Sequence, residues 1–331
     1  MNKLKLLIHY LIKAKNDILT PLIYAVNNKN NSTQLNEYYF VFDKRKLLSG
    51  GSYEYCFDDN GVPIVKGHVS DTDGNYFYQP QAIGQFSLAV FHDYLKSGDT
   101  RELNLFLNLA DWFRYSYKEN QGIPYWESTV NRVKNVYGKD RKGQVISSMS
   151  QSRAISVLLR AFQQTSNEDY IELAEKALLA YKNTPEKGGF LDINNEGDIF
   201  FEEASQPRIL NHLIFSLFGL YDYCRIRRFE TKYYKLFKNS VSSILKHIHE
   251  YDNGWWSLYD NFYINGTRRI NPCTRHYHNI HIQQLKVLYL ITGNSLFEEY
   301  CQEWLKCDKS IINRIKMLLH KVKTVKQMGR I

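Results

Sequence analysis

From residue 81 onward, apolar residues recur at i, i+3, i+4 and i+7 in one window after another. No other feature constrains this 331-residue chain as much. The windows are "QAIGQFSLAVFHDYLKSG", "RELNLFLNLADWFRYSYKEN", "SQSRAISVLLRAFQQT", "NEDYIELAEKALLAYKN", "ILNHLIFSLFGLYDYCRI", "ETKYYKLFKNSVSSILKHIHEY", "IHIQQLKVLYLIT" and "NSLFEEYCQEWLK". Short connections alternate with long, glycine- and aromatic-bearing ones: "NQGIPYWES", "PEKGGFLDINNEGDIFFEEASQP" and "YDNGWWSLYDNFYING". Residues 38–80 read differently, as turns and short β-like pieces. The expected class is mainly α: helical hairpins arranged as an α/α toroid or solenoid, with short β-hairpins near the N-terminus. One end of the helix ring would carry the decorated loops.

Net charge is +9, which invites a nucleic-acid reading until the charge is located. Residues 1–30 hold five Lys and one acid, and residues 308–331 hold seven Lys or Arg and one acid. Between them stand 31 basic and 32 acidic residues. A nucleic-acid domain concentrates positive charge on its folded binding face, so no nucleic-acid partner is expected. Both ends also have apolar spacing, as in "LKLLIHYLIKAKNDILTPLIYAV" and "IINRIKMLLHKVKTVKQM". They read either as packing helices with solvated lysines or as amphipathic helices lying on an anionic membrane surface. The N-terminal run is too short and interrupted for a spanning helix. Five scattered cysteines imply no disulfide framework, which fits a reducing cytosol.

The stretch "INPCTRHYHNIHIQQLKVLY" places His276, His278 and His281 around Tyr277. His276 and His278 share a side only in an extended segment, and His278 and His281 only in a helix. No regular element aligns all three, and no Cys-x-x-Cys or His-Glu-x-x-His accompanies them, so no metal is expected. Other polar and aromatic residues gather in the long loops and at helix starts: Tyr78, Gln81, Gln85, Trp126, Glu202, Glu203, Asn211, Trp255, Trp256 and Tyr259. Each has a bland explanation by itself. Glu202 and Glu203 suit a helix N-terminus, Asn211 a satisfied core amide, and the tryptophan pair a packed plug. Their convergence on inter-helix loops points to a ligand site.

The segments "SMSQSRAISVLLRAFQQT", "FFEEASQPRILNHLIFSLFGLYDY", "YDNGWWSLYD" and "RHYHNIHIQQLKVLYLITGNSLFEEYCQEW" resemble, in order and spacing, the D-glucuronyl C5-epimerase family. "DDNGVPI" and "YFYQPQAIGQFSLAVFHDYL" are similar to that family's lead-in. The resemblance covers roughly residues 40–305. It implies an (α/α) helical toroid, an incomplete barrel, and inversion at C5 of a uronic acid within a polymer. No cofactor is implied. Tyr277 then corresponds to the catalytic tyrosine of the family's Tyr-His motif, Tyr259 to the site tyrosine of its Tyr-Asp motif, and Asn211 to a substrate-contacting amide. Residues 271–280 correspond to a substrate-binding loop, and Gln85, Tyr78 and Gln81 to sugar-contacting positions. Two departures stand out. Ala204 follows Glu203 where the animal enzymes have a second acid/base tyrosine, and Asn261, Phe262 and Tyr263 stand where an Arg is expected.

The chemistry fits such a family. The C5–H of a uronate is very weakly acidic, so its removal needs a close base and positive charge or donors on the carboxylate. Arg275, His276 and His278 are the candidate donors, and their field is expected to lower the pKa of Tyr277. Tyr259 or Glu203 would protonate the opposite face, with Glu202 beside it as a substrate contact. The rivals are a uronate lyase, which shares the proton abstraction, and a non-catalytic sugar-binding descendant. The expected domains are 1–37 (basic N-terminal helices), 38–307 (the epimerase-like toroid) and 308–331 (a basic C-terminal helix). Expected partners are a uronate-containing polysaccharide or lipid-linked oligosaccharide and the inner membrane surface, from the cytoplasmic side; a homodimer is also allowed.

Overall fold

The computed structural model of the chain describes residues 15, 18, 19, 24–28, 32–50, 54–66, 76–128, 145–201, 208–229, 232–261, 263, 264, 267, 268 and 270–327. These residues are mainly helical, with short strands and no closed barrel among them. Helices α1 (Lys44–Gly50), α2 (Pro80–Ser97), α3 (Thr100–Tyr115), α4 (Ser148–Thr165) and α5 (Glu168–Ala177) come first. They are followed by α6 (Leu210–Ile226), α7 (Lys232–His247), α8 (Arg275–Thr292), α9 (Ser295–Lys309) and α10 (Ile311–Gln327). Boundaries follow local chemistry. Pro80 opens α2, while Asp99, Ser147, Asn167 and Asn294 cap α3, α4, α5 and α9 with side-chain oxygens. Gly98 and Gly293 end α2 and α8 in the left-handed conformation.

The helical windows read from the sequence are helices here, with three differences. The "KEN" at the end of the second window is a strand, Lys118–Asn120, paired with Ile123–Tyr125. Helix α8 begins at Arg275, ahead of the apolar run that announces it, so His278 and His281 share a helical face. Helix α1 was not expected. Near the N-terminus, Tyr55–Phe57, Pro63–Lys66 and Tyr76–Phe77 form the expected small antiparallel sheet.

The chain falls into two compact units, residues 27–206 with 212–244 and residues 1–26 with 207–211 and 245–331. The first is built around α4, whose residues 148–161 are all buried. Helix α2 approaches it at Gly84, where an added Cβ would lie 2.9 Å from Arg153 Cβ. Helix α6 approaches at Gly219, where an added Cβ would lie 2.3 Å from the carbonyl oxygen of Ser152. Ser152 Oγ donates to Phe215 O (2.7 Å) and accepts from Gly219 N–H (2.8 Å), so the crossing is hydrogen-bonded as well as close. In the same unit Asp222 receives Arg160 (2.7 Å), Arg225 (3.4 Å) and the Tyr39 hydroxyl (2.7 Å). The two guanidinium groups also donate to the carbonyls of Ser32, Gln34 and Asn36, tying an irregular segment onto the helices.

In the second unit α8, α9 and α10 pack with an aromatic loop, residues 251–261, and Ser257 of that loop bonds two histidines of α8. Its Oγ lies 2.8 Å from His278 Nδ1 and 2.9 Å from His281 Nδ1, and its single proton serves only one of them. His278 Nε2 sits 3.0 Å from the carbonyl of Trp304, which only accepts, so Nε2 carries the proton and Nδ1 accepts from Ser257. His281 then donates its Nδ1–H to Ser257 Oγ. The Trp256 ring stacks on His278 at 3.8 Å, and its Nε1 donates to Cys273 O.

Two outcomes follow from this packing. Gly219→Ala should destabilise the protein by about 2–3 kcal/mol, because backbone rather than a movable side chain meets the new methyl, and a denaturant melt reads it. Burial holds His278 neutral, down to about 4, and His281 well below its usual range. The unfolded chain takes up those protons near pH 6.5, so stability is full above that pH and falls on acidification toward pH 4. The slope should reach about 1.4 kcal/mol per pH unit for each histidine, and His278→Asn should flatten it.

Candidate functional site

Tyr277 lies in the first turn of α8, half-buried, with its ring 5.0 Å from that of Tyr259 in an edge-on contact. Both pack beside a cluster of Trp256, Cys273 and Met317, so α10 forms part of their surroundings. The backbone fixes the pair from both sides. Tyr259 N–H donates to Asn271 O (2.9 Å), Tyr259 O accepts from Leu210 N–H (3.2 Å), and Arg208–Ile209 pair with Asp260–Asn261. The second of these bonds brings Asn211, in the first turn of α6, next to Tyr259 in the fold. Asn211 O accepts from Gln284 Nε2 (2.9 Å), and Gln284 stands two turns beyond Tyr277 on the same helix face. Asn211 Oδ1 and Gln284 Oε1 are buried without a hydrogen-bond partner among the described residues. These are acceptor sites suited to a hydroxyl-bearing ligand or a water.

The charge distribution differs from the sequence expectation. Arg275 directs Nε and Nη2 at Asp308 (2.8 and 3.1 Å) and Nη1 at the carbonyl of Ile18 (2.8 Å). His278 is neutral, with both ring nitrogens engaged. His276 faces the rings of Tyr24 and Tyr277 edge-on. The charge of Arg275 is thus matched by Asp308 and that of His278 is absent, and the expected lowering of the Tyr277 pKa is reversed. Burial raises it above the usual tyrosine range, and a hydrogen bond with Tyr259 offsets only part of that rise. At neutral pH Tyr277 carries its proton.

Tyr78, Gln81 and Gln85 belong to the other unit. The Tyr78 hydroxyl donates to Asp58 (2.8 Å), which pushes its pKa up, and its ring stacks on Trp112. Gln81 O and Gln85 Oε1 both accept from Arg153 Nη1. Glu202 and Glu203 lie outside the described residues. Sequence reasoning missed Ser257, Gln284 and Lys321. Gln284 was detectable as the i+7 neighbour of Tyr277, whereas nothing local marks Lys321. Its ammonium lies 5.8 Å from the centre of the Tyr259 ring and donates to Asn271 Oδ1 (3.1 Å) and Pro272 O (3.4 Å).

Comparison with known proteins places this geometry in context. The sequence model for "D-glucuronyl C5-epimerase C-terminus" matches residues 123–306, a span holding Asn211, Tyr259 and Tyr277. An uncharacterized protein of Methanocaldococcus jannaschii is 32% identical over 162 residues, 47% of this chain and 50% of that protein. The D-glucuronyl C5-epimerase of Caenorhabditis elegans is 30% identical over 175 residues, 48% of this chain and 28% of that enzyme. The chain therefore spans half of the first relative and a little over a quarter of the second. With more than half of its residues inside the matched span, the chain belongs to the D-glucuronyl C5-epimerase C-terminus family.

Proposed function

We propose that the protein inverts C5 of a uronic acid residue, in the manner of D-glucuronate to L-iduronate, within a poly- or oligosaccharide. The observation that carries this is the Tyr259–Tyr277 pair: two tyrosines in edge contact, with Tyr277 in the N-terminal turn of α8 and both inside the family span. A helix N-terminus favours negative charge nearby, which helps a phenolate form when the proton leaves. In this proposal Tyr277 removes the C5 proton as general base, and Tyr259 or Glu203 delivers a proton to the opposite face. Asn211, with its unfilled acceptor, binds a sugar hydroxyl, and Glu202, Tyr78, Gln81 and Gln85 are further substrate contacts. No cofactor takes part. The helical hairpins α2–α3, α4–α5 and α8–α9 support the (α/α) toroid as the architecture. Residues 38–307 are the epimerase-like body, 1–37 the basic N-terminal part and 308–331 the basic C-terminal helix.

The proposal extends to location at the cytoplasmic face of a membrane, on lipid-linked or growing polysaccharide. Among the described residues no helix is long and apolar enough to cross a bilayer. Helix α10 instead leaves Ile311, Ile312, Ile315 and Leu319 47–72% exposed, on the side away from buried Met317 and flanked by exposed Lys316 and Lys323. An apolar stripe edged with lysines suits an anionic lipid surface. Ile312→Ser combined with Leu319→Ser should weaken binding to anionic vesicles at least about tenfold, given about 1.5–3 kcal/mol per buried side chain. Added salt should weaken the wild type further. Unchanged vesicle binding by the double variant would remove the membrane part.

The chemistry has a direct test. In heavy water, a polymer of the right uronate should take up deuterium at C5, and Tyr277→Phe should slow this by about 10²-fold or more. Tyr259→Phe and Glu203→Gln separate the two donors, since loss of the donor lets one epimer exchange without inverting. Because the Tyr277 pKa is raised, the phenolate fraction grows with pH, so exchange should climb by about tenfold per unit between pH 7 and 9. A flat profile would instead assign the base to a carboxylate such as Glu203. An unsaturated product in place of inversion identifies a lyase. Binding without any exchange identifies a sugar-binding descendant.

A further inference from the structure

We infer that Arg153, together with Gln85, binds the carboxylate of a uronate unit, an inference that rests on the proposed function for the nature of the sugar chain. Arg153 stands in the second turn of α4 and is 2% exposed. A guanidinium so buried is unfavourable unless an anion accompanies it. Among the described residues of its unit, four buried side chains carry charge: Arg153, Arg160, Arg225 and Asp222. Burial holds His92 neutral, with its pKa down to about 3. The single buried carboxylate takes Arg160 and Arg225. Arg153 pairs with no carboxylate among the described residues. Its Nη1 donates to two uncharged acceptors, Gln81 O (2.9 Å) and Gln85 Oε1 (3.1 Å), and its Nε is buried without a hydrogen-bond partner. The neighbouring Tyr38 does not supply the missing negative charge, because burial raises its pKa above the usual tyrosine range.

The fold holds this cation in one orientation. The guanidinium lies over the rings of Phe42 and Phe215, 5.6 and 5.0 Å from their centres, and its N–H groups project in its own plane. The close approach of α2 at Gly84 sets the distance from that edge to the first two turns of α2. Gln85 is buried there as well, and turning its Oε1 to Arg153 leaves its Nε2 hydrogens for a further acceptor. Gln81, one turn earlier, is half-buried and brings the group to the surface at the start of α2. A guanidinium beside a primary amide offers an incoming group several donors and a full positive charge, which is what a carboxylate accepts in two-pronged fashion. Neither motif resemblance nor local spacing assigned a role to Arg153, since an arginine inside an apolar helical window reads as an ordinary polar position.

The test reads stability and carboxylate preference beside activity. The full chain is melted in the sodium salts of glucuronate, mannuronate and galacturonate, in glucose and in sodium acetate, with ionic strength matched by sodium chloride. A ligand that binds the folded chain raises the melting midpoint. Oligosaccharides of polymers containing the three uronates, and their carboxyl-reduced counterparts, are titrated by calorimetry, and C5 deuterium uptake is followed in parallel. In the wild type one uronate should raise the midpoint above both glucose and acetate, and the matching carboxylated oligosaccharide should bind better than its reduced form. Arg153→Met should lose about tenfold or more of that preference, the scale of a charge-assisted hydrogen bond. Gln85→Glu supplies the missing anion from the chain itself, so it should melt above the wild type and lose the preference. If Arg153→Met does not fold, Gln85→Glu decides. A Gln85→Glu chain that melts at or below the wild type, or either variant retaining the preference, overturns the inference while the proposed function stands on exchange. An equal rise with acetate marks a bare anion site and also overturns it. Wild type with the preference but no exchange on any of the three polymers removes the proposed activity and leaves the Arg153 assignment; with neither, both fall.

Discussion

The ion pair between Arg275 and Asp308 fixes the geometry of the site-bearing unit. Each charge stands at the unfavourable end of its own helix: a cation in the first turn of α8 and an anion in the last turn of α9. Side by side, each lies at the favourable end of the other's helix, and the bidentate contact meets most of the hydrogen-bonding capacity of both groups. Burial makes the arrangement stringent, because removal of either partner strands the other, at about 3–5 kcal/mol. Arg314 joins the same carboxylate group from the first turn of α10. The start of α8, the end of α9 and the start of α10 therefore meet at Asp308. Tyr277 is two residues from this junction and Lys321 about two turns along α10.

The same junction accounts for what the sequence does and does not disclose. Long apolar periods are written locally, so the helices from α2 to α9 could be read directly. The start of α8 could not, because Arg-His-Tyr-His is a weak helix signal and Thr274 makes no side-chain cap there. The electrostatics of the tyrosine pair were misjudged for a related reason. A sequence shows that Arg275 is near Tyr277, but not that its charge is matched by an aspartate 33 positions later. Counting His278 as a cation fails likewise, since burial against Trp256 and Trp304 decides its protonation. The motifs containing Asn211, Tyr259 and Tyr277 were legible from family resemblance, and the fold does bring these three into one unit. Lys321 was legible only as part of a basic tail.

Buried polar groups also organise the other unit, where Asp222 gathers two arginines and a tyrosine. There the charges act as ties for an irregular segment, through bonds to the carbonyls of Ser32, Gln34 and Asn36. Both units thus use ionic contacts to hold loops in place, while the helix crossings rely on close backbone approach, as at Gly219.

Helix α10 has one further consequence, which is a matter of height. Its Met317 and Lys321 side turns toward the tyrosines, and its isoleucine side turns the opposite way. A helix with its side chains is about 10–12 Å across. If, as proposed, the isoleucine stripe rests on a bilayer and the tyrosine pair acts on a sugar chain, α10 becomes a spacer that holds the pair about one such diameter above the headgroups. A sugar chain anchored in that bilayer then presents its membrane-proximal units at the working level. The chain would be edited near its anchored end, before elongation carries those sugars out of reach.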